Sequence, residues 1–389
     1  VRIQSVEAFA IRLPRGDAGQ TTGTAGSPIA LKTGERIQWA GSYRTVYSSF
    51  FETALVRVET SDGVIGWGES QAPVAPEVVK TIVDCILRSV LVGTDALDTE
   101  AAWESMYASM RARGQTGGFM LDAISGVDIA LWDILGKVTN KPVSDLIADN
   151  RRHSVPIYIS GLSGRTAEER VDFVRAWISK GAKAFKIFMD AGTLDCLATL
   201  QAIRAGCGDA FELYVDALWR LDVPRAAELS YALRELKVGF LEAPLPPESV
   251  EEHRQLATKS VVPIAIGESY RTRYEIGPFL EAGACQVLQP DIGRCGITEG
   301  LRIAKLAESY GVPVIPHLSI GLGPQVAAAI HLSAAIPGIR MLECNPKVYS
   351  EANRFLKSAL TFDAATAEVP TGNGLGIGLD ETVLTESIR

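Results

Sequence analysis

Between residues 184 and 268 the chain reads Ala184-Phe185-Lys186-Ile187-Phe188, then Leu213-Tyr214-Val215-Asp216, then Val238-Gly239-Phe240-Leu241-Glu242, then Pro263-Ile264-Ala265-Ile266-Gly267-Glu268. Each block is a short apolar run that carries or closes on a charged residue, and a helical pattern separates it from the next. Apolar strands joined by helices imply parallel pairing with both faces covered. The alternation starts earlier, at Val155–Ile159, and continues through Gln286–Leu288, Val312–Ile315 and Arg340–Leu342, which makes eight runs. Between the first two, Thr166 and Glu169 form a capping-box pattern, with Val171, Val174 and Ile178 on one helical face and Gly181 as the stop. Eight such units predict a closed (β/α)8 barrel, and a doubly wound open sheet is the alternative.

Upstream, the pattern is mixed. Ala54 to Thr60 alternates as a strand, Ser61-Asp62-Gly63 is a hairpin turn, and Val64 to Trp67 returns. Helical patterns cover Pro76 to Val90, Thr99 to Arg113 and Phe119 to Lys137, the last with Ile124, Val127, Leu131 and Leu135 on one face. A long Gly, Thr and Ser-rich stretch lies between Arg15 and Tyr47, and loops of that length are functional lids or disordered. The tail from about Val348 does not continue the repeat. Gly372 to Gly378 places glycine at every second position and reads as turn chemistry.

Composition removes several function classes. The 389 residues include 38 Lys and Arg against 46 Asp and Glu, a net charge of −8, with no basic stripe for nucleic acid. No apolar run approaches the ~18 residues of a membrane helix, and residues 1 to 14 lack a signal-peptide block. Six scattered cysteines without a C-x-x-C pair suit free thiols in a reducing cytoplasm. There is no phosphate-loop motif, no H-E-x-x-H and no G-x-S-x-G elbow.

In a barrel, active-site residues sit at the C-terminal ends of strands. The polar residues there are Lys186, Asp216, Glu242, Glu268, Gln289 with Asp291, His317 and Glu343. From Lys186 through Asp291 to Glu343 the spacings are 30, 26, 26, 23, 26 and 26 residues. Asp216, Glu242 and Glu268 on neighbouring strands would repel one another, and a divalent cation removes that conflict. Oxygen ligands favour Mg²⁺ or Ca²⁺. His317 should project at the mouth, with Asp291 from the neighbouring strand as its partner. An adjacent carboxylate raises a histidine pKa and fixes its tautomer. Lys186 reads as a structural ion pair, a substrate-carboxylate holder or a base. His153 and His253 read as solvated surface residues, and His331 lies on the helix after Gly323.

Taken together these residues resemble the enolase superfamily, in its mandelate racemase subgroup. The stretches that carry the resemblance are Gly66-Trp67-Gly68-Glu69, Ala130-Leu131-Trp132-Asp133, Phe240-Leu241-Glu242-Ala243-Pro244-Leu245, Gln289-Pro290-Asp291, Pro316-His317 and Leu342-Glu343. The resemblance implies a modified TIM barrel, (β/α)7β, under an α+β capping domain. That gives a cap of residues 1–130, a barrel of residues 131–347 and a segment of residues 348–389 that returns to the cap. It implies Mg²⁺ on Asp216, Glu242 and Glu268, and an enediolate formed by removing the proton α to a carboxylate. It also implies His317 with Asp291 as acid/base, Glu343 (protonated or hydrogen-bonded) on the substrate carboxylate, and a homo-oligomer, dimer or octamer. Lys186, Glu343, Tyr158 and the lid residues Arg44 and Tyr47 are the expected substrate contacts. Lys32 and Arg36 are further lid candidates.

Two positions depart from the subgroup. Where Lys-x-Lys is usual, the chain has Lys186-Ile187-Phe188, and where Asn is common it has Leu218. Phe188 cannot accept a proton, so one face of the substrate lacks a base. A two-base racemase or epimerase is disfavoured. An acid-sugar dehydratase needs only His317, which takes the α-proton and returns it to the leaving β-hydroxyl. A cycloisomerase of a sugar-acid lactone or anhydro acid uses the same chemistry. A non-catalytic binding relic would keep the fold and lose Mg²⁺-dependent turnover.

Overall fold

The computed structural model describes residues 1–14, 21–22, 28–29, 35–41, 44–164, 166–189 and 192–382, which leaves Lys32 outside the described residues. Parallel strands Ser154–Ile159, Ala184–Phe188, Glu212–Asp216, Val238–Glu242, Ile264–Ile266 and Val287–Leu288 follow one another in sheet order, and Leu342–Cys344 pairs back onto the first. That closure, with Glu343 opposite Tyr158, excludes the open sheet.

The seventh run does not form a ladder. Val314 bridges Leu288 on one side and Ile339 on the other, and beyond Pro316 an isolated bridge joins His317 to Asp291. Pro313 and Pro316 flank Val314 and have no N–H to donate, which limits the pairing. The eighth run also sits later than its apolar pattern, so Glu343 lies inside the strand. Seven helices separate the eight strand positions, which is the (β/α)7β arrangement. Side-chain caps start many of them. Thr166 accepts from the Glu169 N–H, Asp222 from Arg225, Ser249 from Glu252, and Thr272 with Glu275 closes a capping box.

The cap is an antiparallel sheet of Ile3–Pro14, Phe50–Thr60 and Ile65–Ser70, covered by helices. The helix expected over residues 76–90 runs without interruption from Pro76 to Leu91, with a π turn at Val83–Leu87 inside it. Helix Phe119–Thr139 is buried nearly all round and spans both cores. A domain boundary at residue 130 therefore falls inside it. One face packs on the cap sheet so closely that a Cβ on Gly68 would lie 1.8 Å from the Gly126 carbonyl. The other face meets the barrel helix Ile292–Ser309. There Asp128 accepts from the N–H groups of Ile297 and Thr298 and from the Thr298 hydroxyl, and Trp132 Nε1 donates to Thr298.

The tail joins both parts. Thr366–Glu368 pairs antiparallel with the first barrel strand, while Phe355 and Leu379 pack against Ile11, Leu13 and Leu55 of the cap. No disulfide joins any two of the six cysteines, which all lie among the described residues. Among the described residues no helix is long and apolar enough to cross a membrane.

Candidate active site

Strand alternation places the site. Side chains two apart share a face. Ala184, Tyr214, Phe240, Val287 and Ile315 form an apolar layer inside the barrel, with Met341 packed against it. Two residues on stand Lys186, Asp216, Glu242, Gln289, His317 and Glu343. The apolar layer is thus the floor, and the polar residues are the rim above it. Glu268 comes from just beyond its strand and keeps 16% of its side chain exposed, against 2% for Glu242. It is the acid most open to an arriving ion.

Lys186 is wholly buried, with Nζ 2.8 Å and 2.9 Å from the two Glu242 oxygens and 3.0 Å from Glu343. Burial alone would lower its pKa, but Glu242 and Glu343 outweigh that and hold it charged. The Phe188 ring lies 5.4 Å from the same ammonium, a hydrocarbon wall where a second lysine would be a base. Gln289 Nε2 donates to Glu242 at 2.8 Å. Burial raises Glu242, partly offset by Lys186.

Burial also raises Asp216, and the nearby charges of Glu242 and Glu268 add to it. Three carboxylates in one low-dielectric corner are costly without compensating positive charge. Their all-oxygen donor set fits a hard divalent cation. Among the described residues, the donors lying within 4.8 Å of one another are those of Glu242, Glu268 and His317. Asp216 stands outside that set. Its Oδ1 accepts the Leu218 N–H at 2.9 Å, and Leu218 and Trp219 both take positive φ, 56° and 54°. This is backbone that Asn tolerates better than Leu.

His317 is held at both nitrogens. Nδ1 is 2.8 Å from Asp291 and Nε2 is 2.7 Å from Glu268. An acceptor on each side favours the charged ring. Burial opposes that charge, and Glu268 with Asp291 overcomes it. Asp291 also caps helix Ile292–Ser309 by accepting the Gly293 N–H. Glu343 is drawn towards its charged form by its neighbours. Burial would raise it, but Lys186 and His317 bring it below the usual range, and it accepts the Leu318 N–H at 3.3 Å.

The remaining expectations divide. Tyr158 lies in the apolar layer below the rim with no exposed surface, edge-on to Tyr214, and Lys186 stands over its ring at 5.6 Å. It supports Lys186 from below rather than walling the mouth. Arg44 is exposed at the turn, and Tyr47 half-buried on a strand, of the hairpin Ile37–Ala40 with Thr45–Ser48. Arg36 is not available for hydroxyls. It pairs with Glu52 and Glu77 at 2.7 Å each, beside Arg12. His153 is exposed as expected.

His253 is not on the surface. It is 1% exposed, packs edge-on against Phe279 and donates Nδ1–H to the Ser249 carbonyl. Val250, His253 and Leu256 recur every three residues, so the helical period was the signal that placed it inward. It lines a small opening beside Glu242 and Glu268 with Trp219 and Tyr270, which the strand-end reading did not reach. His331 is structural. Nδ1 accepts the Ser144 N–H and Nε2 donates to the Leu375 carbonyl.

A capped barrel with acids and a carboxylate-held histidine on its rim is the build of an enzyme. The profile described as Enolase C-terminal domain-like matches residues 169–383, and that described as Mandelate racemase / muconate lactonizing enzyme, N-terminal domain matches residues 42–148. The chain belongs to the enolase superfamily, in its mandelate racemase-like branch, and is one of its enzymes. It is 33% identical to D-galactarolactone cycloisomerase of Agrobacterium fabrum, over 85% of this chain and 90% of that protein. It is 32% identical to D-galactonate dehydratase of Ralstonia nicotianae, over 86% and 91%. A superfamily member from Agrobacterium tumefaciens superposes with a TM-score of 0.93 at 31% identity, covering 99% of this chain and 98% of that one. A racemase from Streptomyces coelicolor A3(2), 25% identical with a TM-score of 0.85 over 99% of each chain, was crystallised with bound magnesium.

Proposed function

We propose that the chain is a Mg²⁺-dependent acid-sugar dehydratase with one acid/base, the His317–Asp291 pair. The observation that carries this is the asymmetry across the rim. His317 stands on one side, held by Asp291 at 2.8 Å, and Phe188 stands on the other against Lys186. Asp216, Glu242 and Glu268 are the residues to hold Mg²⁺. A bound Mg²⁺ would supply charge stabilisation for the enediolate oxygens.

The chain's own groups do the rest. In its neutral form, with Nδ1–H donated to Asp291, His317 takes the proton α to the substrate carboxylate at Nε2. Asp291 fixes the ring through Nδ1 and stabilises the charge it gains. Lys186 neutralises Glu242 and Glu343 and places positive charge beneath the substrate carboxylate, with Glu343 beside it. His317 then returns its proton to the β-hydroxyl, which leaves as water. The resulting enol tautomerises to a 2-keto-3-deoxy acid. One base on one face suffices for both transfers.

A cycloisomerase acting on a sugar-acid lactone is the second reading, favoured by the 33% identity to a galactarolactone cycloisomerase. A two-base racemase has no partner for His317 at Phe188. A binding relic would have no need of the held dyad.

The test is a screen of mono- and diacid sugars for keto-acid product with Mg²⁺, with an EDTA control and a His317→Asn variant. The expected result is a product lost in both controls. Consumption of lactones without keto acid would replace the dehydratase with the cycloisomerase. Ligand binding without Mg²⁺-dependent turnover would leave the relic.

A further inference from the structure

The cap reaches the His317–Asp291 pair through groups that are not themselves on the rim. Helix Pro324–Ala335 follows His317 after a short loop, and its N-cap is Gly323, which has no side chain to offer. Helix N-termini leave N–H groups unsatisfied and favour negative charge. Glu69, from cap strand Ile65–Ser70, supplies the acceptor. It is fully buried, accepts the Leu322 N–H at 2.7 Å and the Gln325 N–H at 3.3 Å, and is steadied by the Thr53 hydroxyl at 2.9 Å.

Gln325 carries the contact onward in two directions. Its Nε2 donates to the carbonyl of Ile320, in the loop that leaves His317. Its Oε1 lies against Gly293, where an added Cβ would come within 1.6 Å of it. Only glycine fits there, and Gly293 is the residue that fixes Asp291. Its N–H donates to Asp291 Oδ1 at 2.8 Å, while its carbonyl accepts from Ser125 Oγ at 2.6 Å and from the Gln71 N–H at 2.8 Å. Asp291 Oδ2 is left for His317 Nδ1. Glu69, Gln71 and Ser125 of the cap-side elements thus close a loop of contacts around the dyad.

We propose that Glu69 is a positioning residue for the acid/base dyad, holding the loop after His317 directly and the turn after Asp291 through Gln325. The cap then acts as a jig for the base. This rests on reading His317 as the base, so the test includes one readout that needs no substrate. Full-length protein labelled with ¹⁵N-histidine in Mg²⁺ buffer reports the Nδ1–H of His317, with His253 and His331 as internal controls. His331 lies on the helix that Glu69 caps, so its signal shows whether that helix is intact.

Glu69→Gln and Ser125→Ala are each expected to shift or broaden the His317 signal and leave His253 and His331 in place. On a substrate from the screen, Glu69→Gln should lower kcat about 10- to 100-fold with KM changed far less, the scale of a misplaced catalytic group. An unchanged His317 signal in both variants overturns the proposal. So does loss of the His331 signal together with His317, because Glu69 would then hold the helix and not the dyad. If Glu69→Gln does not fold, Ser125→Ala decides alone, and an unmoved His317 signal overturns it. Because the signal is read without substrate, failure of the dehydratase reading leaves this result separate.

Discussion

Lys186 has no exposed surface and faces two carboxylates, so removing it is a charge problem before it is a catalytic one. Lys186→Met leaves Glu242 and Glu343 buried without their cation, a loss of about 3–5 kcal/mol. Denaturant melts should show that loss in EDTA and a partial recovery with Mg²⁺. An equal loss in both would place the ion away from these acids. His317→Asn is expected to lower turnover about 10²- to 10⁴-fold while the Mg²⁺-induced rise in melting temperature stays, since Asp216, Glu242 and Glu268 are untouched. His331 predicts a pH effect. Burial drops its pKa from 6.5 to about 4. The unfolded chain takes up the proton at 6.5 and the folded chain does not, so stability is lost as pH falls from 6.5 towards 4, by up to about 3 kcal/mol. His331→Gln should flatten that limb of the stability profile, and an unchanged slope would assign it to other groups. At this scale the rim residues were legible because strand ends expose them at regular intervals. Tyr158, Arg36 and His253 were not. Their roles are set by the layer below, by Glu52 with Glu77, and by a helix face seen only on packing.

Among the elements, a close backbone-to-backbone joint lies between the cap strand Ile65–Ser70 and helix Phe119–Thr139. Gly68→Ala would press a methyl group into the Gly126 carbonyl, and the expected cost is about 1–3 kcal/mol, read as a lower melting temperature. An unchanged melting temperature would mean that the helix can move away at little cost. Apolar period identified this helix and most barrel strands, since burial on both sides leaves a continuous signal. The seventh strand position had the same signal and forms only isolated bridges, at Val314 and at His317, because prolines remove the donors a ladder needs. The π turn at Val83–Leu87 left no mark in the apolar pattern, since it shifts the backbone hydrogen bonds while Val83 and Leu87 still face inward.

Across the whole molecule, cap and barrel are not two independent bodies. Helix Phe119–Thr139 belongs to both cores, the tail pairs with the first barrel strand while packing on the cap sheet, and Glu69 caps a barrel helix from the cap. Sequence alone separated these parts by where the strand–helix repeat starts and stops, because contacts between distant segments have no period to read. Ligation should therefore stabilise the molecule as one unit. Mg²⁺ at about 100 times its dissociation constant is expected to add about 2.7 kcal/mol, in a single transition followed by tryptophans of both parts, Trp103 and Trp219. Two separated transitions would contradict that coupling.

The central claim is a single base on a single face, and deuterium reads it most directly. The acid sugar that the screen returns is incubated with the Mg²⁺-loaded protein in D₂O, and unreacted substrate is recovered. The His317–Phe188 asymmetry predicts deuterium at the α carbon with configuration retained, and none with His317→Asn. Recovered substrate inverted at the α carbon would show a second base on the Phe188 side and contradict it.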